Sequence, residues 1–264
     1  MMNKIVTGIV GDGLSSSRHA HEINVSDGFS LLALAPGDRK KGVELGRIHH
    51  IPFVDRDPEY LLERDEIDAV VIALPTEKHA DFIRYVTSFS KIAVSEAPLS
   101  LSPCECRDIL RMAEEGEYIF YADPYLYLPQ IKSLSSSFHT FSLEFSSINM
   151  KIEETVQIAL EVLISAFGDV ESISKKEGTE YFVKLERGEG ILRARSASDL
   201  NGLTLTVDGE RLVDSLCYYD ALHYFYQFLY SRIEKGGETE SVLRTALEAS
   251  IIREKILPMR DISK

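Results

Sequence analysis

The first 122 residues alternate short apolar runs with helical segments, and this alternation restricts the fold more than any other feature. Runs of strand length and apolar character lie at 5–10, 29–35, 51–54, 69–74, 91–95 and 118–122. The run at 69–74 is apolar on both faces, as is typical of a central strand in a parallel sheet that is covered on both sides. Strands that alternate with helices in this way predict βαβ units and a Rossmann-type, doubly wound parallel sheet.

The segments between these runs have the length and the punctuation of helices. Helices are predicted at 14–23, 38–46, 58–64, 76–88 and 103–115. Ser15, Ser16 and Ser17 are expected to open the first helix, and Thr76 is expected to cap the fourth. The first 122 residues therefore form one predicted α/β domain.

The turn after the first run has a pattern with chemical consequences. Gly11-Asp12-Gly13 follows the strand and precedes the helix, an arrangement that resembles the dinucleotide fingerprint G-x-G-x-x-G. Gly11 would allow the tight turn and Gly13 the close approach of a pyrophosphate, which the free N–H groups of the helix attract. Ser16 stands at the third glycine position, where it caps the helix or donates to a phosphate. A turn without any ligand is the alternative interpretation.

The pattern changes after residue 122, and the segment 123–264 is predicted to be a second domain of the α+β class. A short helix is predicted at 128–136. In the strand at 138–148, Phe141, Leu143 and Phe145 alternate with polar residues. A helix at 153–167 precedes strands at 170–174, 179–186, 190–197 and 202–207, and the step Asp208-Gly209 predicts a hairpin into 211–213. Helices at 218–233 and 238–256 close the chain around a mostly antiparallel, open sheet.

The charge of the chain excludes several classes of partner. The 264 residues carry 29 basic and 42 acidic side chains, a net charge of −13. Such a surface repels phosphate backbones, so neither nucleic acid nor an anionic membrane is an expected partner. No apolar run has the length of a membrane span, and a cytoplasmic location is expected. Cys104 and Cys106 lack a Cys/His cluster that would complete a zinc site, and no metal is predicted.

Several motifs together resemble the glucose–fructose oxidoreductase, inositol dehydrogenase and MocA family. They are GDGLSSSRHA at 11–20, DAVVIALPTEKHADF at 68–82, SEAPLS at 95–100 and YLYLP at 125–129. The resemblance implies an oxidoreductase that uses NAD or NADP on a small molecule bound in the cleft between the domains. It also implies a homodimer formed through the sheet of the C-terminal domain. That domain is expected both to bind the substrate and to form the contact between subunits.

The same resemblance identifies the expected cofactor-binding residues. These are Gly11, Gly13, Leu14, Ser15 and Ser16 in the turn, Leu74, Pro75, Thr76 and His79 after the fourth strand, and Glu96 and Pro98 after the fifth. The Ala97–Pro98 bond is a candidate cis peptide. Where the family has a ribose-binding acid, Pro36 stands here. Either Asp38 replaces that acid, or Arg39 and Lys40 receive a 2′-phosphate, which favours NADP slightly, or all three are a solvated helix start.

The expected catalytic residues depart from the family. Its lysine is replaced by Ala97 and its histidine by Ile158, neither of which can transfer a proton. His79, Tyr125 and Glu161 are the substitute candidates, with ordinary structural roles as the alternative for each. Two functions remain open: a divergent oxidoreductase whose substrate needs little acid–base assistance, and an inactive nucleotide-binding or regulatory protein on the same fold.

Overall fold

The computed structural model describes residues 4–134, 138–147, 150–196, 202–236 and 239–258. They form two compact units. The first comprises the described residues within Met1–Ser100, Arg107–Ala122 and Leu222–Leu243; the second comprises those within Leu101–Cys106, Asp123–Ala221 and Arg244–Lys264. One boundary between the two units falls after Ala122. The compact units are nevertheless discontinuous, since part of the C-terminal segment packs into the first of them.

The first unit contains a six-stranded parallel sheet, as predicted. Its strands, in chain order, are β1 (Ile5–Val10), β2 (Phe29–Ala35), β3 (Phe53–Val54), β4 (Ala69–Ile72), β5 (Ile92–Glu96) and β6 (Ile119–Ala122). The spatial order is β3-β2-β1-β4-β5-β6, and every pair is parallel. All four residues of β4 are buried, which explains the apolar character of both its faces. The order reverses between β1 and β4, where doubly wound folds bind nucleotides.

The helices of this part of the chain confirm the predicted alternation with small shifts at their ends. They are α1 (Leu14–Val25), α2 (Arg39–Ile48), α3 (Pro58–Leu62), α4 (His79–Ser88) and α5 (Pro103–Glu114). Thr76 does not cap α4. It begins a single 3₁₀ turn, Thr76–Lys78, and Lys78 stands at the N-cap without a side-chain bond. The missed turn has a local reason, because Pro75 permits a tight turn before the helix but supplies no cap.

The second unit is built on a mixed sheet that is mostly antiparallel, as predicted. Its strands are β7 (Thr140–Ser147), β8 (Val170–Lys175), β9 (Glu180–Leu185), β10 (Gly188–Ser196), β11 (Gly202–Val207) and β12 (Glu210–Leu216). The order is β12-β11-β7-β10-β9-β8, and among the described strands of this sheet only β7 and β10 pair in parallel. Asp208 and Gly209 have φ angles of 47° and 84°, which confirms the predicted hairpin turn.

One face of this sheet packs on a helix. The predicted alternation in β7 is confirmed, because Phe141, Leu143 and Phe145 are buried and the residues between them are half-exposed. The helix α7 (Ile152–Phe167) packs on this face and is buried on all its sides, since every side chain from Glu154 to Ile164 is buried. The half-exposed polar face of the sheet is the surface through which the predicted homodimer would form. That homodimer stays a prediction, which a molar-mass measurement in solution tests.

Short and closing helices complete the described chain. They are α6 (Pro129–Lys132), α8 (Tyr218–Lys235) and α9 (Glu240–Ile256). The helix predicted at 128–136 is shorter in the structure: it begins at Pro129 and ends at Lys132, and 135–137 lie outside the described residues. Ile148, Ala197 and Glu238, at predicted element ends, also lie outside them. Within the described ranges, no helix combines the length and the apolar character that crossing a bilayer requires.

Candidate functional site

The turn between β1 and α1 is shaped for close approach of a ligand. Gly11 has a φ of +134°, and a Cβ atom there would lie 2.1 Å from the carbonyl oxygen of Ala73, so only glycine fits. Its N–H donates to the carbonyl of Ala35 at 3.0 Å, which ties the turn to β2. A Cβ on Gly13, by contrast, would meet no atom within 4 Å. Gly13 therefore leaves open space in front of the helix.

That space faces the N-terminus of α1. Gly13 is the N-cap and provides no side-chain bond, and α1 begins at Leu14, its predicted first residue, with the three serines in its first turn. The N–H groups of the first turn have no partner within the helix, as in any helix, and they attract an anion. Ser16 Oγ is buried and makes no hydrogen bond. An open N-terminus beside an unsatisfied buried hydroxyl fits a dinucleotide pyrophosphate.

The segments after β4 and β5 are joined by a buried imidazole. The ring of His79 lies with Nδ1 2.9 Å from the carbonyl oxygen of Pro98 and with Nε2 2.8 Å from that of Leu74. The Ala97–Pro98 peptide bond is cis, as predicted. His79 thus connects two of the segments that were expected to line the cofactor. Both of its ring nitrogens face main-chain carbonyls, an arrangement that joins these two segments.

Glu96, the last residue of β5, is a buried acid in contact with the first turn of α1. Its Oε1 accepts a hydrogen bond from the hydroxyl of Ser15 and lies 3.0 Å from His19 Nε2. Burial alone would raise the pKa of Glu96, but the donors His19 and Ser15, with the nearby His79, outweigh burial and lower that pKa. Glu96 is therefore an ionised carboxylate at neutral pH.

A recess lies at the carboxyl ends of β2 and β3. It has a volume of about 480 Å³, and its lining includes Pro36, Arg39 and Arg56. Asp55 in this lining is neutralised by Arg64, whose guanidinium nitrogens lie 3.0 and 2.7 Å from its two carboxylate oxygens. Arg39 and Arg56 carry two positive charges and Asp57 carries one negative charge, so the lining has one net positive charge.

The acid that was considered as a ribose ligand is engaged elsewhere. Asp38 is the N-cap of α2, and its Oδ1 accepts from the N–H groups of Lys40 and Lys41 at 2.8 and 3.2 Å. Its own N–H donates to Asp12 Oδ2 at 2.5 Å. A carboxylate that satisfies two helix N–H groups stabilises the helix start. The lining of this recess therefore offers Arg39, Arg56 and Asp57 to a ligand, while Oδ1 of Asp38 is held at the start of α2.

The candidate residues of the second unit are fully buried. The hydroxyl of Tyr125 donates to the carbonyl of Leu216 at 3.0 Å, and Glu161 Oε1 accepts from Gln157 Nε2 at 3.1 Å. Glu161 also faces Asp123, another fully buried carboxyl. Burial raises the pKa of Asp123 well above its ordinary value, and the charge of Glu161 raises it further. The pair thus retains a proton.

The structure brings together some of the predicted site residues and adds others. Those on β1–α1, after β4 and after β5 belong to one sheet edge in the first unit; Tyr125 and Glu161 belong to the second. Sequence reasoning missed Arg56, His19 and Tyr226. Arg56 follows β3, the neighbour of β2, and that adjacency was a usable signal. His19 lies one turn after Ser15, whereas nothing local indicated Tyr226.

Comparison with known proteins agrees with this geometry. Residues 5–123 match the model of the GFO_IDH_MocA family, described as an oxidoreductase family with an NAD-binding Rossmann fold. The matched range contains the glycine turn, the segments after β4 and β5, and the recess at β2 and β3. Over these residues the chain is similar to the Gfo/Idh/MocA family. The resemblance inferred from the motifs is confirmed, and the family is one of NAD-binding oxidoreductases.

Gfo/Idh/MocA relatives match in sequence over the first part of the chain. An uncharacterized oxidoreductase, YrbE, of Bacillus subtilis is 29% identical over 110 residues, which are 42% of this chain and 32% of that protein. The matching segment therefore spans about a third of the length of that relative.

Gfo/Idh/MocA-like solved structures share the fold over nearly the whole chain. A putative myo-inositol dehydrogenase of Sinorhizobium meliloti aligns with a TM-score of 0.82 at 15% identity, covering 96% of each chain. A 3-ketoreductase of Actinomadura kijaniata, solved with TDP-benzene and NADP, aligns with a TM-score of 0.75 at 14% identity, covering 96% of this chain and 97% of that one. At these identities the likeness shows the fold alone.

Proposed function

We propose that the chain is an NAD(P)-dependent oxidoreductase that acts on a small molecule. The observation that carries the proposal is the glycine turn: Gly11 has a positive φ that a residue with a side chain rarely adopts, and Gly13 leaves free space before α1. A bound dinucleotide would accept or donate a hydride. The chain would contribute the anion site at α1, and His79 would hold the two segments expected beside the nicotinamide.

NADP is the proposed cofactor within this class. Arg39 and Arg56 line the recess at the ends of β2 and β3, where the adenosine half of a dinucleotide lies in doubly wound folds. Arginine suits a 2′-phosphate because its planar guanidinium binds phosphate oxygens in pairs. Asp38, the acid that would otherwise suit the 2′-hydroxyl of NAD, caps α2 through its Oδ1.

Calorimetric titration of the full chain with NADP⁺ and NAD⁺ tests this proposal. We expect NADP⁺ to bind at least about tenfold more tightly, which corresponds to about 1.4 kcal/mol. Arg39→Ala and Arg56→Ala should each weaken NADP⁺ binding several-fold and leave NAD⁺ binding nearly unchanged. Arg47→Ala, at the exposed C-terminal turn of α2, is the matched control and should change neither. Equal or tighter binding of NAD⁺ would contradict the NADP assignment.

A nucleotide-binding protein without turnover is the second candidate function. It is favoured by Ala97 and Ile158, which are 5% and 0% exposed and carry no group that transfers protons. A positioned base contributes about 10²–10⁴-fold to alcohol oxidation. Free sugars and inositol should therefore give no measurable reduction of cofactor at neutral pH. Turnover near 1 s⁻¹, an ordinary enzymatic rate, on any unmodified sugar would contradict the proposal that the chain lacks a group able to transfer the proton.

A further inference from the structure

Four polar side chains form a continuous hydrogen-bonded chain inside the first unit. The hydroxyl of Ser15 meets Glu96, whose Oε1 also lies 3.0 Å from His19 Nε2. On its other side, His19 Nδ1 lies 2.7 Å from the hydroxyl of Tyr226 in α8. His19 and Tyr226 are at most 1% exposed, and Glu96 is 8% exposed. The hydrogen-bonded chain thus runs from the first turn of α1 into the core.

The acceptors in this hydrogen-bonded chain determine which of the four side chains carries the negative charge. An ionised carboxylate only accepts hydrogen bonds, so both Ser15 and His19 donate to Glu96. On the other side of the ring, His19 Nδ1 faces the hydroxyl of Tyr226. Burial, followed by the charges of Glu96 and Glu22, raises the pKa of Tyr226 well above its ordinary value, which keeps this hydroxyl protonated. The carboxylate of Glu96, between Ser15 and His19, is the one anion that these four groups hold.

The position of Glu96 in the sheet relates that anion to the cofactor. Doubly wound sheets bind a dinucleotide across the point where strand order reverses, with one mononucleotide on each half. The recess at β2 and β3 belongs to the adenosine half. Glu96 ends β5, in the half formed by β4, β5 and β6, and its carboxylate reaches back to α1. It therefore lies on the nicotinamide side of the glycine turn.

We propose that Glu96 makes the site discriminate between the redox states of the cofactor, in favour of the oxidised form. The oxidised nicotinamide ring carries a positive charge that the reduced ring lacks, and the two forms share every other ionised group. A fixed carboxylate on this side of the turn attracts the first ring more than the second. Ser15 and His19 act as positioning residues, because they hold the carboxylate in place. This inference rests on the proposed function.

The ratio of the dissociation constants for NADPH and NADP⁺ is the measurement that isolates this effect. A purely structural role of Glu96 would change both constants by the same factor and leave the ratio unchanged. Glu96→Gln keeps the shape of the side chain and removes its charge. We expect this variant to lower the ratio about tenfold relative to the unmodified chain, a size reasonable for one charge acting in a partly buried site.

Glu22→Gln is the matched control. Glu22 lies on the same helix, is also nearly buried, and pairs with His223 at 2.9 Å, two turns away from the glycine turn. The substitution removes an equal charge, and the ratio should stay within about twofold of that of the unmodified chain. A control that shifts the ratio as much as Glu96→Gln would show a general charge effect and would overturn the assignment to Glu96.

The remaining outcomes separate this inference from the proposed function. Binding of both forms with the same ratio in Glu96→Gln overturns the inference and leaves the proposed function intact. Failure of the unmodified chain to bind either form overturns both. Should circular dichroism show that Glu96→Gln does not fold, the variant His19→Leu/Glu96→Met/Tyr226→Phe replaces it, since apolar residues often substitute for a buried polar group without loss of stability. The same tenfold fall is expected, and an unchanged ratio overturns the inference.

Discussion

Gly11→Ala is expected to lower the free energy of unfolding by about 4 kcal/mol, from backbone strain and overpacking of about 1–3 kcal/mol each. The φ of +134° is one that residues with a side chain rarely adopt, and the new Cβ would lie 2.1 Å from a main-chain oxygen of Ala73. Main-chain atoms at the end of β4 cannot move away as a flexible side chain can. Urea denaturation followed by circular dichroism measures the change.

Gly13→Ala is the matched comparison for this prediction. Its φ is −84°, and its Cβ meets no atom within 4 Å, so the unfolding free energy should change by less than about 1 kcal/mol. The added methyl group would, however, occupy the space left for a pyrophosphate, and Gly13→Asp would add a repelling charge. Both variants at Gly13 should fold. Gly13→Ala should weaken dinucleotide binding, and Gly13→Asp should abolish it. Wild-type stability in Gly11→Ala would refute the strain argument, and unchanged affinity in Gly13→Asp would refute the site.

Asp123→Asn is expected to raise the free energy of unfolding at pH 7 by about 2 kcal/mol, the size of a hydrogen bond to a charged group. Asp123 faces Glu161 in the core of the second unit, and its Oδ1 accepts from the N–H of Tyr125 at 3.1 Å. An asparagine keeps that acceptor and offers an N–H to Glu161. It also removes the cost of holding two carboxyls together without water.

The pH dependence of stability identifies the cause of this effect. The pKa of Asp123 is raised in the folded state, so above the unfolded value of about 3.9 the folded chain binds more protons than the unfolded chain. The stability that Asp123 contributes is therefore complete below that pH and is lost as pH rises towards the folded pKa. The gain from Asp123→Asn should accordingly appear only above about pH 4. Asp65→Asn, at an exposed site, should change stability little at any pH, and a loss of stability at pH 7 in Asp123→Asn would contradict the prediction.

The sequence alone determined the features that depend on local periodicity. Alternation of apolar runs with helices determined the parallel sheet, because a strand followed by a helix returns to the sheet beside its predecessor. The two-residue period in β7 determined which of its side chains are buried, and Asp208-Gly209 determined the hairpin, since both positions need positive φ. Gly11 was identified for the same reason: its conformational demand belongs to the residue itself.

Only the tertiary structure decided which distant side chains meet. Ser15 and Glu96 are 81 positions apart, and His19 and Tyr226 are 207 apart, so no window of sequence contains either pair. The periodicity of a helix predicts which of its faces is buried. Which element that face contacts depends on how separate elements pack. The position of α8 in the first unit decided that Tyr226, rather than water, reaches His19. In the same way, the packing of α7 decided that Glu161 faces Asp123, because burial and proximity of two acids are properties of the assembled core.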